Sequence, residues 1–496
     1  MKKILFIALF FLTFLVKSQK AFPSAHGGGS DANGWRTNPV LIIVDNLNYS
    51  TNGLTTIRTG VLTGSFHAAL NYNGAKIIVF NVSGNVSQPN GGTQADFGQT
   101  GIPNASNTLV LGQTAPRGGV TITNGTFRFN QPSDLVIRYI RSRPIKNSSG
   151  NLDTSDDANT GAFIFFGYNN VVLDHCSGSF AQDKVVNAFN NLNQPKQGLT
   201  ISNNIIADGG TMMAIGDNPS IGFAATQNNV SVFMNLFGQN RHRIVNMHGE
   251  NYGEIINNVV NGWGARLGNT YDAINLNHIG NYYQNSSNSN TYNVHQSVGK
   301  PNPSIYTENN FFSGLLTGAN GEDNQVIWRD FFTMGNQLGS GFFTNTMHTR
   351  TVANPHIIIT PQEAYTQVLS DVGANKYIDD NGEVQTYIDP FDQSIINNTI
   401  NSIHVAAKNA SNWVLPSIPN NTRPANYDTD NDGMSDAWEV RTFGNLNQDW
   451  NGDEDSDGYL NIEEFANQVD ESSIPSTSNA LVDFQATFEE LVQAPL

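Results

Sequence analysis

The stretch GLTISNNIIADG, residues 198–209, contains the pattern that decides the fold: alternating β-branched residues run into a pair of asparagines. A period of two is typical of a β-strand, and asparagine tolerates the left-handed backbone of a tight corner. The pattern returns in VTITNGTFRF (120–129), DLVIRYIRS (134–142), NNVVLDHCS (169–177), NNVSVFMNLFG (228–238), GEIINNVVNGWG (253–264) and IYTENNFFSG (305–314). The sequence therefore predicts a repeated unit made of a strand and a corner.

The repeats have the spacing of a stacked coil. With Val136, Val172, Ile201, Val232 and Ile255 as equivalent positions, successive units are 36, 29, 31 and 23 residues apart. Such repeats signal an all-β architecture in which each unit buries its apolar face against its neighbours, and asparagines of successive coils can form hydrogen-bonded ladders. A β-propeller is the alternative, although its blades would be spaced more evenly, at about 40–50 residues. Loops of unequal length leave the coil, and we expect a binding cleft there.

The N-terminus has the pattern of a secretory signal peptide over residues 1–18. Lys2 and Lys3 precede the apolar run ILFIALFFLTFLV (4–16), and cleavage is expected near Ser18. This run is shorter than the roughly 20 residues that a membrane-spanning helix needs, so we expect export, to the periplasm or outside, without a membrane anchor. Cys176 is the single cysteine, which excludes an intramolecular disulfide. Bound calcium and a long stacked core are the remaining sources of stability.

The acidic charge is concentrated near the C-terminus. The net charge is −17, and residues 428–470 hold 13 acidic side chains against one basic side chain, Arg441. Residues 19–427 carry a net charge of only −4 and offer no basic stripe for a nucleic acid. We therefore expect a cation-binding segment in a monomer that binds no nucleic acid.

The domain organisation follows from composition and helix signals. We predict a β-helix domain over 19–415, a proline-containing linker over 416–427, paired calcium-binding loops over 428–470 and an acidic tail over 471–496. One flanking helix is predicted over 361–372, because Thr360 is an N-cap, Pro361 suits the first helical position and Glu363 completes a capping box.

Two acidic loops have the spacing of EF-hand calcium loops. Calcium takes six to eight oxygen ligands, which this spacing supplies from alternate side chains, one backbone carbonyl and a final glutamate, while Gly433 and Gly458 allow the sharp bend. The predicted ligands are Asp428, Asp430, Asp432, Met434 (carbonyl), Asp436 and Glu439 in the first loop, and Asp453, Asp455, Asp457, Tyr459 (carbonyl), Asn461 and Glu464 in the second. We predict that this calcium has a structural role.

A family resemblance extends along nearly the whole mature chain. The motifs are AFPSAHGGG (21–29), VLIIVDNLN (40–48), IIVFNVSGNV (77–86), LVLGQTAPRGGVTI (109–122), LVIRYIRSR (135–143), VVLDHCSGS (171–179) and GEIINNVVNGW (253–263). In this order they resemble the exported pectate lyases of polysaccharide lyase family 1. The resemblance implies a right-handed parallel β-helix that cleaves an acidic plant polysaccharide, homogalacturonan or pectin, by calcium-dependent β-elimination with an arginine as the base.

The resemblance also implies individual site residues. Counting from Asn235 places the catalytic arginine at Arg243, with Arg241 as the alternative, although the proline of the family's Arg-X-Pro setting is absent. The cleft calcium ligands fall on Asp156, Asp157, Asp183 and Asn187. Asn187 removes one negative charge and Lys184 adds a positive one, so both should weaken calcium binding.

Other positions complete the predicted site. The family's substrate-binding lysine has no counterpart, because Gly210 or Thr211 stands in its place. Of Arg138 and Arg141, predicted to point to opposite faces of one strand, one is expected to meet substrate. Asp174 and His175 are expected to form a buried hydrogen-bonded pair.

Two further functions compete with the lyase. A β-helix glycoside hydrolase would need a carboxylate pair, with candidates Asp156, Asp157, Asp174 and Asp183. A catalytically impaired β-helix that binds glycan would explain the missing lysine and the altered calcium segment.

Overall fold

The computed structural model describes residues 19–50, 53–88, 102–145, 161–189, 196–216, 228–284, 291–294, 301–333 and 336–471. The predicted signal peptide, Asp156, Asp157 and the tail beyond residue 471 lie outside this range. In the described part of the chain, no helix is long and apolar enough to cross a membrane.

The first face of the coil, face A, is a 12-stranded sheet. Its strands are β1 (Val40–Asn46), β2 (Thr55–Arg58), β3 (Val61–Ser65), β4 (Lys76–Phe80), β6 (Thr108–Leu111), β9 (Ser133–Arg138), β12 (Tyr168–Asp174), β14 (Lys196–Ser202), β16 (Asn228–Phe233), β19 (Asn251–Ile256), β22 (Ile274–Ile279) and β25 (Ser304–Glu308). Each strand from β4 onward pairs in parallel with the corresponding strand of the next coil.

Two further faces share the long strands β13 (Ser177–Phe189) and β15 (Ile205–Gly216). Face B consists of the first halves of these strands with β5 (Gly84–Ser87), β7 (Val120–Thr123), β10 (Ile140–Arg143), β17 (Leu236–Asn240), β20 (Val259–Trp263), β23 (Tyr282–Gln284), β26 (Phe311–Phe312) and β27 (Leu316–Thr317). Face C consists of their second halves with β8 (Phe127–Asn130), β11 (Phe163–Phe166), β18 (Val245–His248), β21 (Gly268–Tyr271), β24 (Tyr292–Val294) and β28 (Trp328–Asp330). The predicted parallel β-helix is therefore confirmed.

Three of the five chosen anchors share one strand register, because Ile201 pairs with Val232, which pairs with Ile255. Val136 and Val172 pair with each other but are both displaced by one residue from that register, because Leu173, and not Val172, pairs with Ile201. The unequal steps reflect loops of different length and leave the strands themselves in register.

A ladder of asparagine side chains runs along the corner between faces A and B. Each amide nitrogen donates to the amide oxygen of the next coil at 2.9–3.0 Å, through Asn204, Asn235, Asn258, Asn281, Asn310 and Asn324. The residue before several of them has a positive φ, as at Asn203 (φ 56°) and Asn257 (φ 54°), which turns the chain from one face into the next. The ladder predicted from the paired asparagines is confirmed.

The inside of the coil is a continuous apolar core. It contains inward-facing residues from all three faces, such as Val171, Ile206 and Val245, together with Phe66 and Leu70 of helix α1 (Phe66–Asn71). Because the faces enclose this core on every side, burial is the main source of stability in a chain without disulfides. Cys176 is buried in it.

Helices cover the outside of face B. Helix α2 (Pro361–Ser370) begins with the predicted capping box of Thr360 and Glu363, and ends two residues earlier than expected. Helix α3 (Pro390–Ile400), which was not predicted, starts at the N-cap Asp389. Both helices pack on outward apolar side chains of faces A and B, including Ile205, Leu236 and Val259.

The C-terminal module, residues 428–470, lies against the outside of face A. Helices α4 (Asp436–Thr442) and α5 (Asn461–Glu471) form one apolar cluster with outward side chains of β1, β4, β6, β9 and β12. The segment predicted as a linker is hydrogen-bonded to the surface of the β-helix. Asn421 N donates to Ser83 Oγ, and Arg423 N donates to Asn81 O. A hairpin of β29 (Lys376–Ile378) and β30 (Val384–Thr386) lies beside the module, with Arg441 donating to the carbonyl of Gly382.

Candidate active site and calcium loops

A bulge in β13 brings an acid and a base together on face C. The register between β13 and β15 shifts between Ala181 and Lys184, which breaks the usual alternation of side chains. Lys184 Nζ therefore lies 2.5 Å from Asp183 Oδ2 although the two residues are adjacent in sequence. Asp183 and Asn187, predicted as calcium ligands, both lie on this half of β13 and are mostly buried.

The next coils place Thr211 and Arg243 along the same line. Thr211 pairs in register with Lys184, and a parallel bridge joins Thr211 to His242. Arg243 Nη1 is 3.4 Å from Thr211 Oγ1. Since neighbouring coils are about 4.8 Å apart, Lys184 and the segment of Arg243 are separated by roughly 10 Å along the coil axis.

Arg243 has an unusual backbone conformation. Its φ is 55°, in the left-handed region that residues other than glycine rarely adopt. Backbone hydrogen bonds hold this conformation, from Arg243 N to Arg266 O and from Met213 N to Arg243 O. Arg241 lies two residues earlier, and its carbonyl accepts hydrogen bonds from Gly264 and Ala265. Both candidate arginines are thus placed beside face C, and both are partly exposed.

The substrate role predicted for Arg138 or Arg141 is wrong, because both guanidinium groups are sealed inside the protein. Arg138 is 0% exposed, and it forms ion pairs with Asp174 at 3.1 Å and Asp470 at 2.5 Å. Arg141 is 1% exposed, with Nε 2.9 Å from Asp389 and Nη1 donating to the Gly118 carbonyl at 2.8 Å. The two side chains do diverge, toward α5 and α3 respectively, but neither reaches a surface.

The buried pair of Asp174 and His175 is confirmed. His175 Nδ1 lies 2.7 Å from Asp174 Oδ2, and its Nε2 lies 3.6 Å from Asp371 Oδ1 at the end of α2. Burial lowers the pKa of His175, but the two carboxylates outweigh burial and raise the pKa to about 9. Asp371 and Asp470, both part of this network, were not identified from the sequence.

The first acidic loop, residues 428–439, collects carboxylates around one point. Ligand oxygens of Asp428, Asp430 and Asp436 lie within 4.8 Å of one another, as do those of Asp430, Asp432 and Glu439. Burial and neighbouring acids raise the pKa of Asp432 to about 9 and that of Glu439 to about 8. The backbone turns sharply at Gly433, whose φ of 86° suits glycine. Five of the predicted side-chain ligands therefore form two overlapping groups that share Asp430, and this donor set fits calcium.

The second acidic loop, residues 453–464, is more open. Asp453, Asp455 and Asp457 have oxygens within 4.8 Å of one another, and all three side chains are exposed. Asn461 is buried, and its amide nitrogen donates to the Asp449 carbonyl. Burial and the three aspartates raise the pKa of Glu464 to about 7. The donor set again fits a hard cation, with fewer ligands gathered than in the first loop.

Comparison with known proteins supports the family resemblance. No protein-family model matches the chain. A probable pectate lyase C of Aspergillus oryzae is 28% identical over 461 residues, which cover 91% of this chain and 94% of that protein. The protein of the same name from Aspergillus fumigatus (strain Af293) is 28% identical over 481 residues, which cover 95% of this chain and 98% of that protein. The predicted resemblance to pectate lyases is therefore confirmed.

Solved structures give a weaker likeness. The major cedar-pollen allergen Jun a 1 is similar with a TM-score of 0.48 and 16% identity, covering 70% of this chain and 92% of that one. A Bacillus subtilis pectate lyase variant is similar with a TM-score of 0.42 and 12% identity, covering 72% of this chain and 98% of that one.

Proposed function

Since the chain is a pectate-lyase-like polysaccharide lyase by its relationship to these proteins, we propose that it cleaves polygalacturonate, the acidic polymer of pectin, by β-elimination. One observation on this chain carries the proposal. An acid, an ammonium group and a guanidinium group, from Asp183, Lys184 and Arg243, line up beside face C over two coil steps. A linear uronate polymer can follow such a line.

The proposed base is Arg243. β-Elimination removes the weakly acidic proton on C5 of a uronate, so a base must be held close to that carbon. Arginine is normally protonated, and a neutral form requires nearby cations and exclusion of water. Lys184 and a calcium ion bound to the substrate carboxylate would both favour the neutral form, and activity is therefore expected to rise under alkaline conditions.

Calcium in the cleft is the proposed electrophile. When bound, it would stabilise the negative charge that develops on the substrate carboxylate. Asp183 and Asn187 are the described residues proposed to hold it, together with Asp156 and Asp157. The ion pair between Lys184 and Asp183 competes with calcium for the same carboxylate. Weak calcium affinity in the cleft follows from this competition.

Lys184 is proposed to take over the role of the missing substrate-binding lysine. Its Cα pairs in register with that of Thr211, one of the two positions, with Gly210, where the resemblance places a lysine. An ammonium group reaching from the neighbouring coil can contact a substrate carboxylate at nearly the same place. Calcium binding to Asp183 would release Lys184 for that contact.

One assay tests this function. The purified mature chain is incubated with polygalacturonate and calcium at alkaline pH, and ultraviolet absorbance of the 4,5-unsaturated product is followed. We expect absorbance to rise and chelation with EGTA to stop it. New reducing ends without absorbance would mean hydrolysis. Retained glycan binding with neither signal would mean a catalytically impaired binder.

Export as a monomer completes the proposal. The basic and apolar residues of the first 18 positions support secretion. N-terminal sequencing of the secreted product should begin near residue 19, and light scattering should give one chain per particle. A product that retains Met1 would overturn the signal-peptide assignment.

A further inference from the structure

The first acidic loop contains buried oxygens that have no partner. Glu439 is 0% exposed, and neither of its carboxylate oxygens has a hydrogen-bond partner. Oδ2 of Asp432 is also buried without a partner. These groups converge with Asp430 within 4.8 Å. A buried carboxylate without a partner is strongly unfavourable, and a hard divalent cation with oxygen ligands is what this spacing satisfies.

The same loop is wedged against the first coils of the β-helix. A Cβ placed on Gly433 would lie 2.9 Å from Leu41 Cδ2 of β1 and 3.3 Å from Val79 Cγ2 of β4. Met434, the residue whose carbonyl is the predicted ligand, is fully buried in the cluster on face A. Arg58 of β2 donates to the Asp430 carbonyl at 3.0 Å. The loop is therefore in direct contact with β1, β2 and β4 of face A.

The module and the N-terminal segment together cover an apolar surface that would otherwise face water. Outward side chains of face A share one cluster with both, namely Leu41, Ile43, Ile77, Val79, Leu109, Leu111, Val136 and Val172, and the N-terminal segment contributes Ala21, Phe22, Ala25, Ala32 and Trp35. Trp438 of α4 and Ile462 and Phe465 of α5 pack on them. A contiguous apolar patch of this kind is unusual on an exposed surface.

Helix α5 also supplies charges to the β-helix. Glu463 pairs with Arg36 at 2.7 Å and accepts from Trp35 Nε1 at 3.0 Å. Asp470 pairs with the buried Arg138 at the end of β9. Detachment of α5 would leave a buried arginine with fewer acidic partners.

We propose that calcium in the first acidic loop acts as a clasp that holds α4 and α5 on face A, so that this ion stabilises the first coils of the β-helix itself. The three aspartates of the second acidic loop are all exposed, and we expect no comparable contribution from an ion bound there. The inference is independent of the lyase activity, because it concerns the side of the coil that does not carry the cleft.

Thermal unfolding of the full mature chain tests the clasp, with calcium chloride as the probe. Calcium at 100 times its dissociation constant should raise the melting temperature of the β-sheet signal by at least about 3 °C relative to EGTA. Glu439→Gln should abolish most of this shift. Glu464→Gln, at the equivalent position of the second loop, should retain most of this shift. Asp183→Asn measures how much of the shift comes from calcium bound in the cleft.

The melting temperature in EGTA distinguishes a role of Glu439 as a calcium ligand from a role in packing. Glu439→Gln removes a buried repulsive charge, so its melting temperature in EGTA should equal or exceed that of the wild type. A lower melting temperature both with and without calcium would identify Glu439 as a packing residue and overturn the clasp. Equal loss of the calcium shift in Glu439→Gln and Glu464→Gln would also overturn it.

Hydrogen exchange of the wild-type chain gives a test that does not depend on the folding of any variant. Removal of calcium should accelerate exchange at least about tenfold in β1, β4 and β6, and much less in the later strands β22 and β25. Faster exchange confined to residues 428–471 would show that calcium orders the module alone, and the clasp would then be wrong.

Discussion

The arginines on two sides of the coil are held in opposite ways. Arg138, Arg141 and Arg143, outside faces A and B, are fully buried, and each pairs with buried aspartates. Arg243, beside face C, is partly exposed and reaches a hydroxyl at 3.4 Å; among the described residues no carboxylate lies within ion-pair distance of it. A guanidinium enclosed by carboxylates is part of the framework, whereas one left beside a cleft remains available to a substrate.

Removal of the proposed base should have the largest effect. Arg243→Lys should lower turnover on polygalacturonate by about 10²–10⁴-fold, because a positioned base contributes about that factor. The melting temperature should hardly change, since Arg243 has no buried carboxylate to leave behind. Initial rates of ultraviolet absorbance, measured with calcium at alkaline pH, give the comparison.

Arg241→Lys is the matched control for this prediction. It should retain most of the turnover if Arg243 is the base. The reverse result would transfer the role to Arg241. Full activity in both variants would remove the catalytic arginine from this segment.

Removal of a buried arginine should act on stability and not on chemistry. Arg138→Met leaves Asp174 and Asp470 buried with less compensation, and breaking such a pair costs about 3–5 kcal/mol in the free energy of unfolding. Urea unfolding measures the loss. Turnover of the folded variant should be close to that of the wild type.

Arg441→Gln provides the contrast, because this exposed side chain donates to backbone carbonyls beside the module. Its effect should stay below about 1 kcal/mol. A stable Arg138→Met protein that has lost activity would restore the substrate role of Arg138.

The pH dependence of stability should identify His175 as part of the same framework. Its folded pKa of about 9 lies above the ordinary value of 6.5, so its contribution is complete below about pH 6.5 and is lost as pH rises through about 9. The contribution amounts to roughly 3 kcal/mol. Melting temperatures of the wild type and His175→Gln should differ most near pH 6 and converge above pH 9. A constant difference across this range would exclude a protonated His175.

The features that the sequence predicted correctly depend on neighbouring positions. Alternating β-branched residues and paired asparagines sit within a few positions of each other, and they specified the coil and the ladder. The capping box before α2 is likewise local. Each of these patterns can be interpreted without knowledge of the rest of the chain.

The partners of the buried arginines could not be predicted, because they are remote in sequence. Arg143 pairs with Asp389 across 246 positions, and Arg138 pairs with Asp470 across 332. An arginine on a strand near a family motif looks the same whether it faces a substrate or a carboxylate of a distant helix. This ambiguity led to the wrong role for Arg138 and Arg141.

One missed contact did leave a signal. The run VLIIV at 40–44 is apolar without alternation, which is typical of a strand buried on both faces. It could have indicated that something covers the outside of face A. The sequence does not say which segment does so, and the module that covers it begins almost 400 residues later.

Removal of the ion pair between Lys184 and Asp183 should give the smallest effect. Lys184 is partly exposed, and such pairs contribute about 0.2–1 kcal/mol. Lys184→Ala removes a competitor of calcium for Asp183, so the calcium concentration for half-maximal activity should fall about two- to fivefold. The KM for polygalacturonate should rise at the same time, because the substrate loses an ammonium contact. Lys376→Ala removes an equivalent pair with Asp371 away from face C, and neither quantity should change. If Lys184→Ala also leaves both unchanged, Lys184 belongs with the framework charges and not with the cleft.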